Sequence, residues 1–252
     1  MYRYRRKRCV RPLRLEIDKP LREFVTECLG KYWSPEIIAA RWQGKSLSHA
    51  TIYRALKAKL LCGYTEYSHL RRRGKRKYCR GDNRTIRPDN TIHERPQVTQ
   101  ERGRIGDWEG DTVLGAPGKG GLVTMVERRS RLLKMALIPN KEAATVKKVV
   151  CRTLGGYLPV KSITLDNGSE FANFREIEKE LNTTVYFTDT RSPWQRGSNE
   201  NINGLIRFFF PRGTDFQSVS PQQVDCVLFL INTRPRKCLG WLSPLEFLGC
   251  CT

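Results

Sequence analysis

The chain has 252 residues and a formal net charge of +21, long enough for one large domain or two smaller ones around a sizeable core. No apolar stretch approaches the roughly 20 residues of a bilayer-spanning helix. The basic start Arg5-Arg6-Lys7-Arg8 is not followed by the apolar core of a signal peptide, so membrane and secreted classes are set aside and a cytoplasmic location is expected. The nine cysteines, odd in number and scattered, form neither a disulfide framework nor paired zinc ligands, and are expected as reduced thiols, mostly in packing positions.

The charge is uneven. Residues 1–104 carry 27 Lys/Arg against 10 Asp/Glu, a net of +17, whereas residues 105–252 carry a net of +4. The front is the electrostatic footprint of a protein that meets a polyanion, nucleic acid first, and the rear is that of an ordinary globular domain. A membrane surface fits less well, because the basic residues do not lie along a strongly apolar helix face.

In chain order, the first legible helix begins at Ser34-Pro35-Glu36, with Ser as the cap and Pro in the first turn, and Ile37, Ile38 and Trp42 as its apolar face. After the turn Gln43-Gly44-Lys45-Ser46-Leu47, Ser48 caps a second helix in which Ile52, Tyr53 and Leu56 face inward. His49, Thr51, Arg54 and Lys57 are left on its outer side. Two helices joined by a short Gly-containing turn, the second with a basic outer face, make a helix-turn-helix pattern suited to the major groove; a helical hairpin with a solvated face has the same spacing. Residues 71–80 hold seven basic residues in ten, including Arg71, Arg72 and Arg73, and with the proline-broken stretch to Arg104 they predict an extended linker following phosphates.

From Ile105 the pattern changes. Strands are predicted over Trp108–Leu114, Leu122–Glu127 and Leu132–Ile138 as an antiparallel meander. A helix follows on Ala143, Val146, Val150 and Leu154, then a strand at Ile163–Leu165, a helix on Phe174, Ile177 and Leu181, and a strand at Thr184–Phe187. Helices around 196–209 and 222–232 complete the order. Three strands followed by alternating helices and strands give an α/β fold, a mixed sheet flanked by helices in the element order of the RNase H-like fold.

Three acids stand out in this frame. Asp111 lies in the first strand, Asp166 opens the turn Asp166-Asn167-Gly168 after the fourth, and Glu200 follows 33 intervening residues later near a helix start. Carboxylates so placed can converge on hard cations, and a pair of cations can clamp an in-line phosphoryl displacement. In the helix around 196–209, Ile202, Leu205, Ile206 and Phe209 form one stripe, and Glu200, Asn203 and Arg207 share the opposite side. Periodicity leaves open whether that side lines a cleft or faces solvent.

These segments carry a family resemblance. Glu94-Arg95-Pro96 leading through Gly106-Asp107-Trp108-Glu109-Gly110-Asp111, the run Leu165–Phe171, the run Ser192–Leu205, Pro211–Asp215 and Asn232–Gly240 resemble a DDE transposase of the IS-thirty insertion-sequence family, in the retroviral integrase superfamily. Ser34-Pro35-Glu36 and Ser48–Arg54 resemble that family's helix-turn-helix. The resemblance implies that Asp111, Asp166 and Glu200 are the catalytic and metal-binding triad, with Asp107 the alternative to Asp111. It implies two Mg²⁺ ions, with Mn²⁺ as a substitute, and double-stranded DNA, both element ends and target, as partner of a homo-oligomer. Arg196 and Arg207 become candidate phosphate contacts beside Thr51, Arg54, Lys57 and Arg71–Arg73.

The expected organisation is a basic arm (1–31), a helix-turn-helix region (32–62), a basic linker (63–104) and a catalytic domain (105–252). The short basic stretch before Trp33, where the family places a further helix-turn-helix, leads to the expectation of a shortened copy. The rivals are a non-catalytic DNA-binding regulator derived from a transposase and a non-specific nuclease of the same fold.

Overall fold

The computed structural model describes residues 12–65, 69–70, 89–156, 158–189 and 192–250. Arg71, Arg72 and Arg73, expected on phosphates, lie outside the described residues. Two compact units emerge, one of Met1–Tyr78 with Arg234–Leu242, the other of Cys79–Thr233 with Ser243–Thr252.

The first unit is helical. Its helices are α1 (Arg14–Ile17), α2 (Lys19–Gly30), α3 (Pro35–Arg41) and α4 (His49–Lys57). Residues 14–30 of the segment expected as a basic arm are therefore mostly helical. Asp18 caps α2 by accepting from Leu21 N at 3.1 Å, and Pro20 sits in its first turn. Leu21, Val25 and Leu29 recur every four residues along α2 and are fully buried with Leu15, Ile38 and Ile52. Ser48 caps α4 as expected, accepting from Ala50 N at 3.3 Å, while Arg54 and Lys57 remain exposed on its outer side. Tyr53, expected to face inward, is half-buried and donates its hydroxyl to Glu36 at 3.3 Å. The segment Arg234–Leu242 returns to this unit: the Arg234 guanidinium binds the Tyr32 carbonyl, and Arg41 reaches the Trp241 carbonyl at 3.5 Å.

The second unit is built on β1 (Asp107–Leu114), β2 (Gly121–Glu127), β3 (Leu133–Ile138), β4 (Ser162–Leu165) and β5 (Thr184–Phe187), in the order β3-β2-β1-β4-β5. β1, β2 and β3 are antiparallel neighbours, and β4 and β5 run parallel to β1. Its helices are α5 (Gln97–Gln100), α6 (Ala143–Leu154), α7 (Phe174–Leu181), α8 (Gly197–Phe209), α9 (Pro221–Asn232) and α10 (Pro244–Gly249). The period-two alternation of the strands sorts side chains between two cores. Trp108, Val123 and Met125 pack with Val146, Val150 and Ile177 of α6 and α7 on one face. Val113, Leu122 and Val126 pack with Ile202, Ile206 and Val224 of α8 and α9 on the other. This is the expected RNase H-like mixed sheet flanked by helices.

Residues 89–104, expected as linker, belong to this unit: Arg95 and Thr99 are buried, and Arg95 donates to Thr164 Oγ1 at 3.2 Å. No described helix is long and apolar enough to cross a membrane. Of the described cysteines, Cys28 and Cys151 are buried but Cys62, Cys226, Cys238 and Cys250 are exposed, so packing accounts for the smaller share.

Candidate active site

β1 carries Asp107, Glu109 and Asp111 at alternate positions, so all three carboxylates project from the face covered by α8 and α9. Gly110 between the last two is required by a close approach: a Cβ there would lie 2.5 Å from Leu165 Cδ2 and 3.1 Å from Met125 Sδ on the opposite face. Each acid has its own arginine. Asp107 is fully buried, paired with Arg104 through two contacts of 3.0 Å, and accepts from Ser162 Oγ at 2.6 Å. Glu109 is fully buried against Arg128, which also donates to the Thr99 carbonyl at 3.1 Å. Asp111, at the open end of the row, faces Arg196 across 3.6 Å.

Asp107 is thus committed to the interior, and the geometry favours Asp111 as the acid that meets solvent. Burial opposes the Asp107 charge, but the Arg104 and Ser162 hydrogen bonds, the Arg104 charge and Thr99 outweigh it and hold its carboxyl below the usual range. A carboxyl depressed on folding stabilises the protein above its unfolded value, near 3.9, and that stability is lost as pH falls through the lower folded value. Asp107→Asn should therefore destabilise the protein at neutral pH and flatten the acid limb of its stability profile. Denaturant unfolding between pH 7 and pH 3 would test this; parallel profiles for the two proteins would contradict it.

The parallel pairing of β1 with β4 brings Asp166, which follows β4, to the same end of the sheet as Asp111. Arg196, from the short turn Pro193–Arg196 that leads into α8, joins them. Its Nη2 lies 2.7 Å from Asp166 Oδ2, and its Nη1 donates to the Gly110 carbonyl at 2.8 Å. The Asp111 carboxylate also accepts from Thr112 N at 2.8 Å and from Asn203 Nδ2 at 2.7 Å, and Asp166 Oδ1 accepts from Gly168 N at 3.2 Å. Burial, with a lesser push from Asp166, raises the Asp111 carboxyl against the opposing pull of Arg196. Burial works against the Arg196 charge as well, yet Asp111, Asp166 and Glu109 together hold its guanidinium above the ordinary value.

Glu200 sits on the helix that approaches this cluster. It is exposed in the first turn of α8, and Asn203, one turn further along the same face, is the residue that reaches Asp111. Among the described residues no three His, Cys, Asp or Glu side chains come together as a metal-holding group. Of the three acids, Asp111 and Asp166 share a partner in Arg196. Arg207, also expected on phosphate, is half-buried and donates to the Leu114 carbonyl at 2.7 Å. Arg196 is turned onto carboxylates, with its side chain only 14% exposed.

Several participants were missed in the sequence. Glu109 Oε2 accepts from Asn199 N at 3.3 Å, tying β1 to the first turn of α8. Arg131 and Arg102 both donate to Ser198 Oγ beside it, Arg102 at 3.4 Å. Glu170 Oε1 accepts from Thr112 Oγ1 at 3.0 Å next to the pair. The signal available for Glu109 was its period-two spacing from Asp107 and Asp111.

The donor chemistry of the pair suits a hard cation. Asp111 on β1 and Asp166 just after β4 turn carboxylate oxygens toward one positive group, and oxygen donors are the ligand type that hard cations such as Mg²⁺ prefer.

A five-stranded mixed sheet of this order and polarity, flanked by helices, is an RNase H-like fold. No family model matches the chain. It is 36% identical over 242 residues to the transposase for insertion sequence element IS4351 of Bacteroides fragilis, covering 92% of this chain and 74% of that protein. It is 35% identical over 257 residues to transposase InsI for insertion sequence element IS30A of Escherichia coli K12, covering 94% of this chain and 67% of that protein. The catalytic core domain of BIV integrase superposes with a TM-score of 0.45 at 22% identity, over 57% of this chain and 95% of that one. The chain belongs to the IS30 family of insertion-sequence transposases.

Proposed function

We propose that this chain cleaves and rejoins DNA at the ends of an insertion sequence by two-metal-ion phosphoryl transfer. The observation that carries the reading is the Asp111–Asp166 pair, held by adjacent parallel strands around a shared positive charge at the rim of the sheet. Asp111 and Asp166 are the proposed cation ligands, and Glu200 the third, carried by the helix whose next turn supplies Asn203 to Asp111. Divalent cations, when bound, supply positive charge to the attacking and leaving oxygens of an in-line displacement. In the first step a water oxygen bonds to phosphorus and the bond to the 3′ oxygen breaks, leaving a 3′-hydroxyl and a 5′-phosphate. In the second, that hydroxyl attacks a target phosphate and displaces another 3′ oxygen. The helical unit is the proposed DNA-binding part, with Thr51, Arg54 and Lys57 of α4 toward the major groove and Arg71–Arg73 on phosphates.

The test is a labelled duplex carrying the element's ends, incubated with the chain over a range of Mg²⁺ and salt concentrations. Nicked and joined products that appear only with Mg²⁺ or Mn²⁺ are expected. Binding should weaken steeply and log-linearly with salt through counterion release. Salt-dependent binding without cleavage at any cation concentration would leave the non-catalytic DNA-binding regulator as the reading. Cleavage without joining would leave the nuclease.

A further inference from the structure

Three acid–arginine pairs line one face of β1, and the third differs from the first two. Arg104–Asp107 and Arg128–Glu109 pair with fully buried carboxylates, the interior form of such a pair. Arg196 spreads its guanidinium over three oxygens, 2.7 Å from Asp166 Oδ2, 2.8 Å from the Gly110 carbonyl and 3.6 Å from Asp111 Oδ1. The two acids it joins keep 33% and 21% side-chain exposure. Both also have neutral donors that do not depend on Arg196: Thr112 N–H and Asn203 for Asp111, Gly168 N–H for Asp166. The carboxylates can thus keep their orientation when the guanidinium leaves.

We infer that Arg196 is a built-in competitor of the divalent cation: guanidinium and cation require the same Asp111 and Asp166 oxygens, and cation binding requires Arg196 to swing out. This rests on the proposed reading of the pair as the cation site. The physical basis is direct. Two carboxylates that face one guanidinium need a counter-charge, which Arg196 supplies, and a second cation on the same oxygens would be repelled by it at short range. Arg196 is in this sense a positioning residue that sets the cation concentration at which the site fills.

The experiment measures Mn²⁺ binding to the full chain by electron paramagnetic resonance of free Mn²⁺, for wild type, Arg196→Gln and Arg196→Ala. Loss of a charge-assisted contact that competes with the ligand should tighten Mn²⁺ binding by roughly tenfold or more. Adding Asp166→Asn to either variant should remove the gain. A parallel measurement on the wild type keeps the inference open to refutation should a variant fold poorly. Phenylglyoxal modification of Arg196, mapped by mass spectrometry, should accelerate several-fold with saturating Mn²⁺. Unchanged or weaker Mn²⁺ affinity in folded variants, or modification that Mn²⁺ slows or leaves unchanged, overturns the inference. If Asp166→Asn lowers Mn²⁺ binding in the wild-type background but the Arg196 variants bind no tighter, this inference alone fails. If Asp166→Asn leaves Mn²⁺ binding untouched, the reading of the pair as a cation site fails with it.

Discussion

Replacement of Asp166 by Asn is expected to abolish Mg²⁺-dependent strand cleavage, by about three orders of magnitude or more, while folding and salt-dependent DNA binding persist. The substitution is nearly isosteric. Asp166 Oδ1 accepts from Gly168 N within the turn after β4, and an amide oxygen can take that bond over. What is lost is the negative charge at Oδ2, the oxygen now 2.7 Å from Arg196. A hard dication held by carboxylates loses charge as well as a ligand when one becomes an amide. If Asp166 served only the turn, Asn would do nearly as well, since both residues favour turns and tolerate left-handed backbone. Cleavage of an end-containing duplex, with circular dichroism and binding at two salt concentrations as controls, separates the two roles. Wild-type cleavage at wild-type Mg²⁺ dependence in the variant would remove Asp166 from the site.

Arg128→Met should cost the fold about 3–5 kcal/mol, because it leaves Glu109 charged, fully buried and without its partner. For a chain of this size that is a fall in melting temperature of roughly 6–20 °C. Glu109 also accepts the Asn199 N–H, so its displacement should loosen the start of α8, which carries Glu200. Adding Glu109→Gln removes the stranded charge and keeps an acceptor for Asn199, and the double variant should recover most of the loss. Lys31→Ala is the control: its contact with Glu27 is 2.6 Å, but both side chains are more than half exposed and solvent replaces the pair at little cost. Equal melting temperatures for Arg128→Met and wild type would show that the buried pair contributes nothing.

The sheet and its helices were legible because period-two and helical signals are strong between Ile105 and Asn232. The meander, the helix over Ala143–Leu154 and the last strand at Thr184–Phe187 appear where the apolar pattern puts them. α2 was obscured by surrounding charge, although Asp18, Pro20 and the four-residue repeat of Leu21, Val25 and Leu29 specify it. Residues 89–104 read as a linker because they are poor in apolar side chains. Arg95, Thr99 and Arg104 instead pack through hydrogen bonds and ion pairs with the sheet, which hydropathy does not register. In the site, the pairing of Arg128 with Glu109 and of Arg196 with Asp111 and Asp166 was not legible, since both arginines arrive from distant segments. Helical phase groups Glu200 with Asn203 on one side of α8 but does not say which residue touches the sheet, and Asn203 donates to Asp111.

The return of Arg234–Leu242 to the helical unit bears on how the polypeptide folds as it is made. The core of Leu21, Val25, Ile38 and Ile52 comes entirely from the first quarter of the chain and can collapse early. Partners of the Tyr32 carbonyl and of Arg41 come from residues 234 and 241, 202 and 200 positions further along the chain. The helical unit is therefore completed only after the whole sheet has been translated, and a ribosome that stops before residue 234 releases helices still missing their final segment.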